Sequence, residues 1–164
     1  TFRFSSNFLE KCPKLIYRQT ADRIIATIDF DKYYLDKTVH LIVPKEDVQI
    51  NLLALLGILN SELMLYFYRD LSREEGRTFA QVKTIYIKQI PLRFDTKIES
   101  EISKLVEKQL KNTKSLLLFG DKQTSEKAKI EDEIKKTDVE IDEFVYKLYS
   151  LTKEEIKVIK DSLK

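Results

Sequence analysis

The sequence predicts an α+β fold: a small mixed α/β head followed by a long antiparallel helical hairpin of coiled-coil character. Three observations carry this. Short runs rich in β-branched and aromatic residues are confined to the first 93 positions. After Pro91 the chain turns into dense Lys, Glu, Leu and Ile at helical spacing. That second part is interrupted only at "GDKQ", where Gly120 suits a helix C-terminus. The expected division is residues 1–93 for the head and 94–164 for the hairpin and a C-terminal helix.

"KLIYRQ" (14–19) and "RIIATID" (23–29), separated by "TAD", read as a β-hairpin. "FDKYYLDKT" is a polar, aromatic-bearing connection, and "VHLIVP" (39–44) reads as a third strand that proline stops. "PKED" (44–47) leads as a turn into a helix expected from Asn51, its N-cap, to Arg69. That helix is apolar over most of its circumference and should be buried against the sheet. "SREEGRTFAQ" reads as a charged loop or short helical turn. "VKTIYIKQIPL" (82–92) alternates as a fourth strand, with Val82, Ile85 and Ile87 as core candidates.

In the second helix of the hairpin, Ile130, Ile134, Thr137, Ile141, Phe144 and Leu148 recur in steps of three and four, a heptad seam with Thr137 as its polar member. In the first, Ile98, Ile102, Leu105, Val106, Leu110 and Leu117 form the matching stripe. Thr152 and Glu155 make a capping box that opens the last helix.

Composition argues against several kinds of chemistry. With three glycines in all, no phosphate-cradling loop can be built. His40 is the one histidine and Cys12 the one cysteine, so neither a metal cluster nor a nucleophile–histidine pair is expected, and His40 reads as a structural residue on a strand. The acids and lysines of "EDEIKK" (131–136) read as ordinary solvated pairs on a helix. One cysteine and no run of 18 apolar residues suit a cytoplasmic setting without a membrane span. "TFRFSSNFLEK" lacks a signal-peptide pattern and a starting methionine, so a piece of a longer chain is expected.

Net charge is only +2, but its distribution is uneven: all seven arginines lie in the first 93 residues. Arginine and glutamine present paired groups suited to guanine and adenine edges. The candidate contact residues are therefore Arg18, Gln19, Thr20, Arg23, Tyr33, Arg73, Arg77, Thr78, Phe79 and Gln81, all in or beside expected loops. The competing expectation is that the arginines pair with Asp22, Asp70, Glu74 and Glu75 in surface ion pairs of little consequence.

"KLIYRQTADRIIATID", "TVHLIV", "LLALLGILNSELMLYFYRDLS" and "EEGRTFAQVKTIYIKQIPL", in unbroken order, resemble the C-terminal target-recognition region of TaqI-like type II restriction-modification enzymes. "IDEFVYKLYSLTKEEIKVI" is similar to the tail that follows in them. The layout also resembles the specificity subunits of type I systems, although "IPLRFDTKIESEI" lacks the second proline and the Glu-Gln pair frequent there. The resemblance implies a non-catalytic module that grips double-stranded DNA, chooses the site and helps present an adenine for flipping. It implies an upstream domain that binds S-adenosylmethionine and methylates adenine N6 through an Asn-Pro-Pro-Tyr-type motif, absent from this chain, and in some members an endonuclease domain using Mg2+. No cofactor is expected in the chain itself. The alternative expectation is an interaction or spacer module whose hairpin docks another subunit or domain.

Overall fold

The computed structural model describes residues 12–45, 48–73 and 80–164. Three strands, β1 (Lys14–Arg18), β2 (Ala26–Asp29) and β3 (Val39–Ile42), form an antiparallel sheet in the order β2-β1-β3. The expected hairpin is β1 and β2, paired from Lys14 opposite Asp29 to Tyr17 opposite Ala26. Because β2 and β3 flank β1 and run the same way, residues 30–38 must cross β1 to connect them.

The burial pattern of β1 departs from simple alternation at its first residue. Leu15 and Tyr17 point to the main core, as period-two alternation requires. Lys14, on the opposite face, is nonetheless fully buried, in an ion pair of 2.5 Å with Asp29, directly across the ladder. Asp29 also accepts the N–H groups of Asp31 (2.8 Å) and Tyr33 (3.0 Å), which turns the chain at the end of β2. Burial works against the Asp29 carboxylate, but Lys14 and the two N–H donors outweigh it and hold the carboxyl below its ordinary range.

The single helix expected from Asn51 to Arg69 is two helices, α1 (Leu52–Asn60) and α2 (Glu62–Ser72), bent by 62° at Ser61. Asn51 caps α1 as expected, accepting from the Ala54 N–H at 3.1 Å. The break has a physical cause in two consecutive polar residues. The Asn60 carboxamide leaves the helix to bond Ala26, while Ser61 takes extended geometry, donates to the Ile58 carbonyl and accepts from the Met64 N–H. Serine used this way starts a new helix. Among the described residues no single helix is long and apolar enough to cross a membrane, and the bent α1–α2 pair is apolar because α1 is a core helix, with Leu52, Ala54, Leu55, Leu56, Ile58 and Leu59 all buried.

The expected fourth strand is a correction. Residues 84–87 form a short helical turn, α3 (Thr84–Ile87), and an isolated antiparallel bridge joins Gln81 to Thr20, just past the end of β1. Val82, Tyr86 and Ile90 stand four apart, so the run that alternates like a strand also satisfies a helical period. What decides is Tyr68: its hydroxyl donates to the Gln81 carbonyl (3.2 Å) and accepts from the Lys83 N–H (3.1 Å), occupying groups that a strand partner would need. Val82 is buried as expected, Ile87 is half-buried, and Ile85 is not core but 64% exposed.

The helical part matches expectation closely. Helices α4 (Thr96–Phe119) and α5 (Ser125–Leu148) pack antiparallel, with Gly120 at a positive φ closing α4 and Thr124 capping α5. Helix α6 (Lys153–Ser162) starts with the Thr152–Glu155 capping box and lies against α2. Thr137 is fully buried, its hydroxyl donating to the Glu133 carbonyl one turn back. One expectation fails near the hairpin tip: Leu117 is 77% exposed, and Leu116 takes the half-buried position instead. A straight α-helix drifts against a seven-residue step, so the face moves by one position over this distance.

Head and hairpin share one apolar core. Leu15, Tyr17 and α1 are continuous with Ile102, Val106, Ile141, Val145 and Leu148. The contact is closest at Gly57, where an added Cβ would come within 2.6 Å of Ile102 Cγ2 and 3.0 Å of Val106 Cγ2.

Candidate functional site

The register of the sheet decides which candidate residues can act together. β1 ends at Arg18, where the β1–β2 connection (19–25) begins, and β3 starts beside it, with Arg18 opposite Val39. Three backbone bonds knit this end. The Gln19 N–H donates to Thr38 O at 2.9 Å, the Val82 N–H donates to Gln19 O at 2.7 Å, and the Arg18 N–H donates to Ile25 O at 3.1 Å. With the Thr20–Gln81 bridge, these bonds bring residues from two distant parts of the sequence to one edge of the molecule. Arg18, Thr20, Arg23 and Gln81 are exposed there, and Gln19 is half-buried.

The ion-pair expectation holds for some arginines and not for others. Asp22 pairs with Arg23 at 3.2 Å and with Arg69 at 3.4 Å. Burial works against the Asp22 carboxylate, but the Arg23 hydrogen bond and charge, with the Arg69 charge added, keep it below its ordinary range. The Arg69 side chain is only 17% exposed, whereas that of Arg23 is 47% exposed. Arg18 forms no ion pair with any described residue. One anion thus serves two cations.

Two candidates lie apart from this edge. Tyr33 is fixed to Asp29 at the opposite end of the sheet, about 13 Å away at ~3.3 Å per strand residue. It sits in the crossing segment with Phe30 and Tyr34, and Phe30, Tyr33 and Tyr34 are 57%, 60% and 86% exposed. Arg73 closes α2 in left-handed geometry (φ 51°) and lines a groove of about 420 Å³ with Tyr66, Arg69, Asp70, Ser162 and Leu163. Arg77, Thr78 and Phe79 lie outside the described residues, as do Gly76, Glu74, Glu75, and Glu46 and Asp47 of the turn before α1.

Sequence reasoning missed Tyr68, which holds Gln81 and Lys83 in place from the middle of α2. Its position in an apolar helical stripe reads as core, which it also is: Tyr68 is fully buried and meets Tyr86 edge-on with ring centroids 6.2 Å apart. Tyr17 contributes similarly, its hydroxyl 3.2 Å from Thr84 Oγ1, and burial raises its pKa above the ordinary phenol value. His40 lies on β3 with its ring 5.2 Å from that of Tyr17, half-buried in the sheet. Among the described residues no three His, Cys, Asp or Glu side chains are grouped to hold a metal ion.

The model of one protein family, described as the TaqI-like C-terminal specificity domain, matches residues 4–92. The matched span takes in the whole sheet, α1, α2 and the bridge at Gln81, and stops just before the helical hairpin. No curated protein matches the chain.

Proposed function

We propose that the chain, which belongs to the TaqI-like C-terminal specificity domain family, reads the sequence of double-stranded DNA through the sheet end that carries Arg18, Gln19, Thr20, Arg23 and Gln81. The observation that carries this reading is the Thr20–Gln81 bridge, which gathers two loops into one exposed, hydrogen-bonding edge. Glutamine can bond an adenine edge through two atoms and arginine a guanine edge likewise, while threonine serves either base or phosphate. Tyr33 and the lysines of the crossing segment, Lys32 and Lys37, would meet the sugar-phosphate backbone and set register. Arg73, Arg77, Thr78 and Phe79 would extend the surface along the chain that joins α2 to Gln81.

In this reading residues 1–93 recognise and residues 94–164 brace. The chain is the non-catalytic specificity part of a restriction-modification enzyme and positions an adenine-N6 methyltransferase domain on its site. S-adenosylmethionine, and Mg2+ where an endonuclease is present, would be bound by other parts of the parent enzyme.

Selection of duplexes from a random pool by the intact protein tests the reading. Enrichment of one short motif is the expected result. A bound pool no different from the starting pool would overturn it.

The alternative, a hairpin that docks another subunit or domain, is favoured by Leu117 and Leu118, which are 77% and 89% exposed near the hairpin turn. It is compatible with DNA reading by the head. Replacing both leucines by serine should then release the other subunit without altering the motif selected.

A further inference from the structure

Helix α2 begins in an unusual way. The N-terminal N–H groups of a helix have no partner within it and need one from outside. Ser61 supplies its own oxygen to the Met64 N–H, but the Glu62 N–H is taken by Asp142 Oδ1 of α5, at 2.8 Å. One turn further along α5, the Tyr146 hydroxyl donates to Glu62 Oε2 at 2.6 Å. Residues four apart share one helix face, so Asp142 and Tyr146 together grip both the backbone and the side chain of the first residue of α2. The hairpin, not the local sequence alone, fixes where this helix starts and points.

The far end of α2 reaches the sheet end described above. Eleven residues at 1.5 Å each make a strut of about 16 Å. Along it Tyr68 holds the backbone of Gln81 and Lys83, and Arg69 reaches Asp22 beside Arg23. Gln81 in turn pairs with Thr20. A tilt of α2 at its origin therefore displaces Gln81 relative to Thr20 and Arg18.

We propose that Asp142 and Tyr146 are positioning residues for the DNA-reading sheet end, acting through α2 from a part of the chain outside the family match. This rests on the reading of that sheet end as the DNA surface. The hairpin thereby acquires a defined role, because the 62° bend between α1 and α2 is held by a clamp that only the docked hairpin supplies. The groups facing the clamp are Glu62 from α2, Asp138 from α5 itself and Lys160 from α6, whose ammonium also lies 5.9 Å from the centre of the Tyr146 ring.

The test uses the intact protein, the duplex motif obtained by selection, and a random duplex of equal length. Asp142→Ala and Tyr146→Phe should each lower the preference for the selected duplex roughly fivefold, the equivalent of losing one helix cap, with binding to the random duplex unchanged. Asp142→Asn keeps an acceptor oxygen for the Glu62 N–H and should restore the preference. Thermal unfolding of each variant, with binding measured well below its Tm, separates positioning from collapse. A variant that loses Tm but keeps the wild-type preference overturns the inference. So does an Asp142→Ala protein that discriminates normally while Arg18→Ala does not, a result that leaves the DNA reading intact. If the wild-type protein prefers no duplex, the DNA reading fails first and the positioning role falls with it.

Discussion

The Asn60 carboxamide treats Ala26 as a neighbouring strand would, accepting from its N–H at 2.9 Å and donating to its carbonyl at 3.1 Å. β2 is an edge strand, and an open edge invites pairing with other chains. The last residue of α1 thus closes part of that edge while also ending its own helix. Asn60→Ala should cost about 1–2 kcal/mol and raise the tendency to associate. Urea unfolding and light scattering check this; an unchanged midpoint would mean that the pair contributes nothing.

Gly57 is the point of closest approach between head and hairpin. Glycine-to-alanine changes inside helices ordinarily stabilise by ~1 kcal/mol. Here the new methyl meets the β-branches of Ile102 and Val106, which have little rotamer freedom to yield. Gly57→Ala should therefore destabilise, by about 1–2 kcal/mol. A rise in Tm would show that the helices can part to admit a methyl group.

Tyr68 bonds two backbone groups on either side of Val82. Tyr68→Phe should cost about 1–3 kcal/mol through the unmet groups and speed amide exchange at Lys83. It should also weaken DNA discrimination, because Gln81 loses its support. Unaltered exchange at Lys83 would argue that the hydroxyl is dispensable.

Asp142 should give stability an unusual pH profile. Burial, with the Glu62 and Asp138 carboxylates added and only the Glu62 N–H and Lys160 opposing, pushes its pKa up to about 7 from an ordinary 3.8. Between those values the folded protein holds a proton that the unfolded chain has released. Stability contributed by this group therefore falls as pH rises from about 4 to about 7 and then levels off. Asp29 acts in the opposite sense: its pKa is lowered, so its contribution is present at neutral pH and is lost on acidification below 3.8. Tm at pH 5 and pH 8, for wild type and Asp142→Asn, checks the first effect. The wild type should lose Tm on going to pH 8, and the variant should show less of that loss.

Features signalled by neighbouring residues were legible in the sequence. The capping residue Thr152, Gly120, the stripes of α4 and α5, and the β-branched runs of β1 to β3 all carry their cause within a few positions. The fourth strand misleads because Val82, Tyr86 and Ile90 obey both periods, and the arbiter, Tyr68, lies fourteen positions before Val82. The break at Ser61 is hidden because apolar residues on both sides continue one another in sequence, and the partners that favour it are Ala26 and Asp142. The same holds for the candidate site. Gln19, Thr20 and Gln81 meet because of sheet register, whereas Tyr33 is carried to the other end by a crossing that no local pattern announces. Arg69, the expected end of the helix from Asn51, turns to Asp22.

Equilibrium binding of the intact protein to its selected duplex and to a random duplex, across a salt series, tests the central claim most directly when wild type and Arg18→Ala are compared. Arg18 has no ion partner among the described residues, so its removal should leave folding stability near wild type. Affinity for the selected duplex should fall by roughly 1–3 kcal/mol if Arg18 reads a base, and wild-type affinity for both duplexes should drop steeply with salt. An Arg18→Ala protein that binds both duplexes as tightly as wild type, at every salt concentration, would contradict the account.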